Sequence, residues 1–254
     1  MSTAKPRHLL AIEYEEAAEA YLRSLPPEHF MEAYAQGTQR KITLGSFEVV
    51  RVRRPDVQLF NEMLVQYPHP PRPRRGQPAK IHQVVPDNVA VVHGEPIKLS
   101  GSFNLPLQPV RPFWVMEYVS KYNKRKDYED NFTKYEVELK VPYYLLFYPD
   151  NQELTLYRHT GKKYKAVPPN GNGRHPVPEL EMEVGLLEGW ARFWYRGVLI
   201  PLPGDLQREL DQVRRQLEEE KRRADAAHQA QLRLEQQLEA LQAQLQQAQE
   251  HRKS

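Results

Sequence analysis

The sequence contains no cysteine among its 254 residues. Disulfide bonds, zinc–thiolate sites and thiol nucleophiles are therefore excluded, whereas a metal could still bind through carboxylates or the 9 histidines. A long uncharged apolar run is also lacking, both at the N-terminus and elsewhere. The sequence thus predicts neither a signal peptide nor a membrane span, and the default expectation is a cytoplasmic protein.

A large excess of one charge is lacking as well. Lys and Arg number 36, Asp and Glu number 33, and the net charge is only +3. Any contact with nucleic acid must therefore come from local basic patches. One such patch lies in the Pro-rich segment from Pro68 to Lys80, where Arg72, Arg74 and Arg75 could contact phosphates. The simpler interpretation of this segment is a stiff surface connection.

Proline, glycine and aromatic residues are absent from the tail after Gly204. Apolar residues recur there at alternating steps of four and three, which predicts a coiled coil and hence a homodimer. The predicted seam runs through Leu206, Leu210, Val213, Leu217, Glu220, Ala224, Ala227, Gln231, Leu234, Leu238, Leu241, Leu245 and Ala248. A single helix that folds back on the rest of the chain is the alternative. The predicted domains are residues 1–202 and a tail of residues 203–254.

Residues 1–67 are predicted to be mainly helical. A first helix is expected from Ile12 to Leu25, before two consecutive prolines. A second is expected from Pro55 to Tyr67, since proline suits the first helical position and Asp56 would lie in the first turn. The preceding stretch, LGSFEVVRVRR, is ambiguous between helix and strand.

Residues 81–200 are predicted to be rich in strands. The five candidate strands are residues 88–92, 113–119, 143–148, 153–159 and 192–196. One helix interrupts them, and its apolar face consists of Tyr128, Phe132, Tyr135 and Leu139. A polar stripe beside that face consists of Lys124, Asp127, Asn131, Lys134 and Glu138. The order strand–helix–strand predicts a mixed α/β fold with a partly covered sheet.

Two carboxylates stand out in the strand-rich region. Glu117 lies in the centre of the aromatic stretch PFWVMEYVSK, where a buried and unpaired carboxylate would be costly, so it either points to solvent or is a working group. Asp87 immediately precedes the strand at 88–92, and neighbouring strands could place the two carboxylates side by side. Two such anions repel each other unless a hard divalent cation such as Mg²⁺ lies between them.

Basic residues follow Glu117 closely along the chain. The candidates for contact with an attacking water or a phosphate are Lys121, Lys124, Arg125, Lys126 and Lys134. By itself, such a basic run is usually a solvated surface.

The order of these motifs resembles that of a known family. Four stretches carry the resemblance, in the order VPDNVAVV, PFWVMEYVSK, KDYEDNFTKYE and KVPYYLLFYPDNQELTLYRHTGKKY. They are similar to the bacterial Uma2 family of putative restriction endonucleases, within the PD-(D/E)XK nuclease superfamily. Asp87 matches the aspartate of the PD motif, Glu117 and Ser120 match E-x-x-S, and Asp127 and Tyr135 match the helix positions. The resemblance covers about Val84 to Arg158.

This resemblance implies a restriction-endonuclease-like α/β domain and a Mg²⁺-dependent DNA endonuclease. Asp87 and Glu117 would ligate the metal together with the carbonyl of Tyr118. Glu32 is a candidate accessory acid. These roles rest on the resemblance and not on spacing or composition.

The sequence departs from the family pattern at the catalytic lysine. The superfamily lysine would fall at Val119, and the helix lysine of the family would fall at Asn131. Lys134 or Lys124, on the same helical stripe, could replace it. Otherwise the protein is an inactive nuclease-fold protein that binds DNA or a partner and dimerises through its tail.

Overall fold

The computed structural model describes residues 5–25, 34–69, 80–99, 101–119 and 126–251. The chain divides into two units, Met1–Ile200 and Pro201–Ser254. Strands and helices are both present in the first unit, and the second is helical. The mixed α/β fold expected from the sequence is confirmed.

A six-stranded sheet forms the centre of the first unit. Its strands are β1 (Val57–Asn61), β4 (Asn88–Val92), β6 (Trp114–Tyr118), β7 (Tyr143–Tyr148), β8 (Glu153–His159) and β9 (Tyr164–Ala166), in the order β1-β4-β6-β7-β8-β9. Only the β6–β7 pair is parallel among these neighbours. A parallel pair needs a crossover, and the helical stretch predicted between the two strands provides it.

Two smaller sheets accompany the central one. The first contains β2 (Val65–His69), β3 (Lys80–Val84) and β5 (Phe103–Asn104), in the order β3-β2-β5. The second contains β10 (His175–Val177), β11 (Met182–Leu187), β12 (Trp190–Tyr195) and β13 (Val198–Leu199) in sequential order. All five candidate strands are present, and the candidate at 192–196 corresponds to β12.

Three α-helices are described: α1 (Arg7–Ser24), α2 (Tyr34–Arg53) and α3 (Pro203–His251). The crossover between β6 and β7 is a wider helix, with π-type stretches at Lys126–Asn131 and Lys134–Leu139. We call this crossover the π-helical segment. Wide turns of this kind are rare and occur frequently at functional sites.

The predicted helix from Pro55 to Tyr67 was wrong. Pro55 and Asp56 form a turn after α2, and the stretch continues as β1 and β2. The Asp56 carboxylate accepts two hydrogen bonds from the Arg54 guanidinium at 2.9 and 2.7 Å, which lowers the pKa of Asp56. Val57 to Asn61 pair with β4 along their whole length, so tertiary pairing overrides the local helix signal.

The side chains of β6 alternate between two cores on opposite faces of the central sheet. Trp114, Met116 and Tyr118 lie in a core that also contains α2, β11 and β12 side chains. Val115 and Val119 lie in the other core, with side chains of the π-helical segment and of β2 and β3. Glu117 lies two residues from both Val115 and Val119, so its side chain is on their face of the sheet and its carboxylate is directed toward the π-helical segment.

α2 is joined to β12 by a buried amide. The Gln39 side chain donates to the carbonyl of Ala191 at 2.9 Å and accepts from the Ala191 N–H at 3.0 Å. Gln39 is fully buried, and each hydrogen bond to the strand satisfies a polar group that water cannot reach. This pairing fixes α2 against the second small sheet.

The tail helix α3 is described by itself. Its apolar side chains are exposed in the single chain, including those at seven of the predicted seam positions: Leu206, Leu210, Val213, Leu217, Leu234, Leu238 and Leu241. None of the described helices combines the length and hydropathy required to cross a bilayer.

Candidate active site

Asp87 and Glu117 lie side by side at one end of the central sheet. β4 and β6 are antiparallel neighbours with Asn88 opposite Met116, so the residue before β4 lies next to Glu117. The backbone N–H of Asp87 donates to Glu117 Oε2 at 3.2 Å, and the Tyr118 N–H donates to Asp87 Oδ2 at 2.6 Å. Glu117 therefore accepts a hydrogen bond from the backbone of Asp87, and Asp87 accepts one from the residue that follows Glu117.

Glu117 is buried, with only 2% of its surface exposed. Its Oε1 accepts hydrogen bonds from the Asn131 amide at 2.9 Å and from the Tyr135 hydroxyl at 2.6 Å. Both donors come from the π-helical segment, which brings residues four apart onto one oxygen. Such hydrogen bonds favour the charged carboxylate and fix its orientation, with Oε2 on the side of Asp87.

Arg40 of α2 provides the positive charge next to Asp87. Its guanidinium contacts Asp87 Oδ1 at 3.1 Å and Glu62 Oε1 at 3.0 Å, and its side chain is only 12% exposed. The planar fork of an arginine suits simultaneous contact with two carboxylates. Sequence reasoning missed Arg40, because α2 lay in a stretch without a clear pattern and no motif linked it to Asp87.

The backbone carbonyl of Tyr118 lies at the same end of the sheet. It accepts a hydrogen bond from the Gln36 side chain at 2.5 Å, so α2 orients this oxygen as well. The Tyr118 hydroxyl contacts Thr43 at 2.6 Å and Asn88 at 2.7 Å, and burial raises its pKa. Tyr118 thus remains neutral and joins β6 to α2 and β4.

The two positions at which the resemblance places a lysine are both buried. Val119 lies in the second core, and Asn131 donates to Glu117. Lys134 follows Asn131 in the π-helical segment, and its ammonium donates to the carbonyl of Gln83 on β3 at 3.2 Å. Among the candidate lysines, Lys134 is the one whose side chain the structure describes, and it contacts β3.

Several predicted site residues lie outside the described part of the chain. They are Glu32, Arg72, Arg74, Arg75, Ser120, Lys121, Lys124 and Arg125. The side chains of Lys126 and Asp127 are likewise not described. Their roles stay predictions.

The donors brought together here are all oxygen atoms. Asp87 and Glu117 offer carboxylates, and Tyr118 offers a carbonyl. This donor set fits a hard divalent cation such as Mg²⁺, which binds one or two carboxylates and completes its shell with water and phosphate oxygens. The described residues thus could hold such a cation.

Comparisons with known proteins give one family match and a similar solved structure. The model of the Uma2 family, described as "Putative restriction endonuclease", matches residues 44–188. A crystal structure of a putative nuclease belonging to DUF820 from Anabaena variabilis ATCC 29413 is similar at 17% sequence identity and a TM-score of 0.42, and the match covers 59% of this chain and 75% of that one. No curated protein matches the chain. Asp87, Glu117, Asn131 and Tyr135 all fall inside the family match.

Proposed function

Because this chain belongs to the Uma2 family of putative restriction endonucleases, we propose that it is a Mg²⁺-dependent endonuclease that hydrolyses phosphodiester bonds in DNA. The observation that carries the proposal is the pairing of Asp87 and Glu117 at adjoining positions of β4 and β6. Two carboxylates side by side at one end of the sheet repel each other as anions, and a divalent cation between them would remove that cost.

Each described residue has a specific role in this proposal. Asp87, Glu117 and the carbonyl of Tyr118 would hold the cation. When bound there, Mg²⁺ supplies an acidified water and neutralises charge on the phosphodiester. Asn131 and Tyr135 hold one oxygen of Glu117, so that the other faces Asp87.

Arg40 and Gln36 support the same site from α2. Arg40 holds Asp87 in place and balances its charge, while Gln36 fixes the Tyr118 carbonyl. Both are positioning residues, because they act through the atoms that would touch the cation.

Lys134 is proposed as the group that contacts the scissile phosphate, with Lys124 as the alternative. Lys134 belongs to the segment that carries Asn131 and Tyr135, and its ammonium donates a hydrogen bond to the backbone carbonyl of Gln83. If the Lys134 ammonium exchanged the Gln83 carbonyl for a phosphate oxygen, its positive charge would contact the substrate. The candidate contacts outside the described residues would extend this surface along the DNA.

Plasmid nicking tests the function. We expect the wild-type protein to nick supercoiled DNA with Mg²⁺ and to stop when EDTA is added. Glu117→Gln and Asp87→Asn should reduce nicking to background, because each removes a charged ligand with little change of shape. Glu15→Gln, at an exposed position of α1, is the matched control and should nick like the wild type. Equal nicking by the wild type and Glu117→Gln would refute the proposal.

A non-catalytic DNA-binding or interaction protein is the second candidate. The observation that favours it is the absence of lysine at Val119 and Asn131. It predicts DNA binding that weakens steeply with salt, without cleavage and without Mg²⁺ binding by calorimetry. Nicking that depends on Glu117 would eliminate it.

We also propose that α3 forms the coiled coil of a homodimer. The exposed leucines at the seam positions support this proposal, because burial of each in a partner helix contributes about 1.5–3 kcal/mol. Truncation before Pro203 should halve the mass measured by light scattering, and an unchanged mass would contradict the dimer. Two active sites in one dimer would suit cleavage of both strands. A cytoplasmic location stays a prediction from the sequence.

A further inference from the structure

A cluster of two histidines and one glutamate lies apart from the carboxylate pair. His69 ends β2, His82 lies in β3, and Glu138 lies near the end of the π-helical segment. In the described part of the chain, these three form the single group of histidine and acid side chains with the spacing of a metal site. We call these three residues the histidine cluster.

The geometry of the histidine cluster is compact. One potential ligand atom from each residue lies within 4.8 Å of the other two. Nδ1 of His82 lies 2.9 Å from Glu138 Oε2, and Nδ1 of His69 lies 3.9 Å from the same oxygen. The two imidazole rings stack at 4.7 Å with an angle of 28° between their planes. Two nitrogens and one carboxylate oxygen therefore converge on one small space.

One polar atom of the histidine cluster lacks a hydrogen bond. Nδ1 of His69 is shielded from solvent and has no hydrogen-bond partner among the described residues. Buried polar atoms are nearly always satisfied by the protein, by water or by an ion. His69 is held against His82 by stacking, so this nitrogen stays directed into the cluster.

Glu138 is prepared as an anionic ligand. Burial by itself would raise the pKa of its carboxyl group, but hydrogen bonds with Tyr67 and His82 outweigh burial, and the pKa lies below its ordinary value. The Tyr67 hydroxyl donates to Oε2 at 2.7 Å, which orients the carboxylate in the manner of the outer partners of metal ligands.

We propose that His69, His82 and Glu138 form a binding site for a divalent transition metal, of which Zn²⁺ is the best match. Imidazole nitrogens favour Zn²⁺ over Mg²⁺, whereas the all-oxygen carboxylate pair favours the harder ion. Ligands at zinc-bond length from a tetrahedral ion lie about 3.3 Å apart, and the distances of 2.9 and 3.9 Å lie on either side of that value.

The site would keep one coordination position open. Two histidines and one glutamate supply three ligands, and a water would take the fourth. The ion would lie where His82 Nδ1 and Glu138 Oε2 now form a hydrogen bond. The two histidine side chains are about one-third exposed, at 33% and 34%, which leaves an entry path for the ion.

A metal ion bound to the histidine cluster would link the π-helical segment to β2 and β3. Lys134 and Glu138 both contact this small sheet, while Asn131 and Tyr135 contact Glu117. The metal would thus stabilise the segment that holds the carboxylate pair. Binding of Zn²⁺ itself does not depend on the proposed nuclease activity.

The test is Zn²⁺ binding by untagged full-length protein that has first been stripped of metal with a chelator. We expect about one Zn²⁺ per chain by elemental analysis after dialysis, and a rise in Tm when Zn²⁺ is added. His69→Gln should weaken Zn²⁺ binding by about tenfold or more and abolish the rise in Tm. We choose His69 because its Nδ1 makes no hydrogen bond, so its loss disturbs the metal-free fold least.

Two control variants separate this site from others. His93→Gln removes a histidine outside the cluster, and Glu117→Gln alters the carboxylate pair; both should bind Zn²⁺ like the wild type. Circular dichroism without metal checks that His69→Gln is folded. Co²⁺ provides a second measurement, because its visible absorption reports nitrogen ligation at low coordination number. Wild-type stoichiometry and affinity in a folded His69→Gln, or no Zn²⁺ bound by the wild type, would overturn the proposal.

Discussion

The carboxylate pair and the histidine cluster use the same π-helical segment in different ways. Asn131 and Tyr135 of this segment donate to Glu117, and Glu138 instead accepts from Tyr67 of the small sheet. One region offers only oxygen ligands, and the other offers mainly nitrogen. The difference teaches that one segment could support both proposed sites, because Asn131 and Tyr135 on one face contact the central sheet while Lys134 and Glu138 on another contact the first small sheet.

The largest effect on stability is expected at Arg40 of α2, which contacts Asp87 of the carboxylate pair. We expect Arg40→Met to lower the free energy of unfolding by about 2–3 kcal/mol, because the carboxylates of Asp87 and Glu62 lose their positively charged partner. The loss is smaller than for a fully buried ion pair, since both carboxylates are partly exposed to water. Urea denaturation measures this change.

The matched control is Arg23→Met on α1. Arg23 pairs with Glu19, but both side chains are largely exposed, so the change should stay within about 0.5 kcal/mol. Equal effects of the two substitutions would mean that the Asp87 contact is no stronger than an ordinary surface pair.

A smaller effect is expected from Tyr135→Phe, which removes one hydrogen bond from Glu117. The buried carboxylate then loses a donor, which should cost about 1–2 kcal/mol of stability. Nicking should fall by about 10–100-fold because Glu117 is less firmly oriented. Urea denaturation and plasmid nicking measure the two effects.

Tyr157→Phe is the control for this prediction. Tyr157 packs against the same core from β8, so its substitution removes a hydroxyl at a different place. If Tyr157→Phe lowers nicking as much as Tyr135→Phe, orientation of Glu117 is not the cause.

The smallest effect concerns acid stability at the histidine cluster. The pKa of Glu138 is lowered in the folded protein, so its stabilising contribution is present above the ordinary carboxyl pKa of about 4.3 and is lost as the pH falls through the lowered value. Glu138→Gln should therefore lower Tm in metal-free protein at pH 5 and converge with the wild type in strong acid. A difference in Tm that grows as the pH falls below 4 would contradict this assignment.

The carboxylate pair could be predicted from the sequence because local patterns determine it. Asp87 immediately precedes one strongly apolar strand, Glu117 lies within another, and the two strands are neighbours. Once both strands are recognised, the even spacing of a sheet brings the acids together. Tyr135 was expected to face the core and does so, but its hydroxyl bond to Glu117 has no signature in the sequence.

The histidine cluster could not be predicted in the same way. The sequence assigns the first part of β2 to a helix that ends at Tyr67 and places His69 in the Pro-rich segment from Pro68 to Lys80, so His69 had no predicted partner across a sheet. The antiparallel register that opposes Tyr67 to His82 places the second histidine beside the first, and this register is a tertiary property. Arg40 escaped prediction for a related reason, since α2 makes its contacts with residues far away in the chain.

The hydrogen bonds between the Gln39 amide and Ala191 bear on which fragments of the protein can be expressed in folded form. Gln39 and Ala191 both lie outside residues 44–188, as do Gln36 and Arg40. A fragment of residues 44–188 would retain Asp87 and Glu117. It would lose the hydrogen bonds between Gln39 and Ala191, and also Gln36 and Arg40, which contact the site from α2. We therefore expect the smallest unit that folds by itself to include α2 and β12, and shorter expression fragments should yield insoluble or misfolded material.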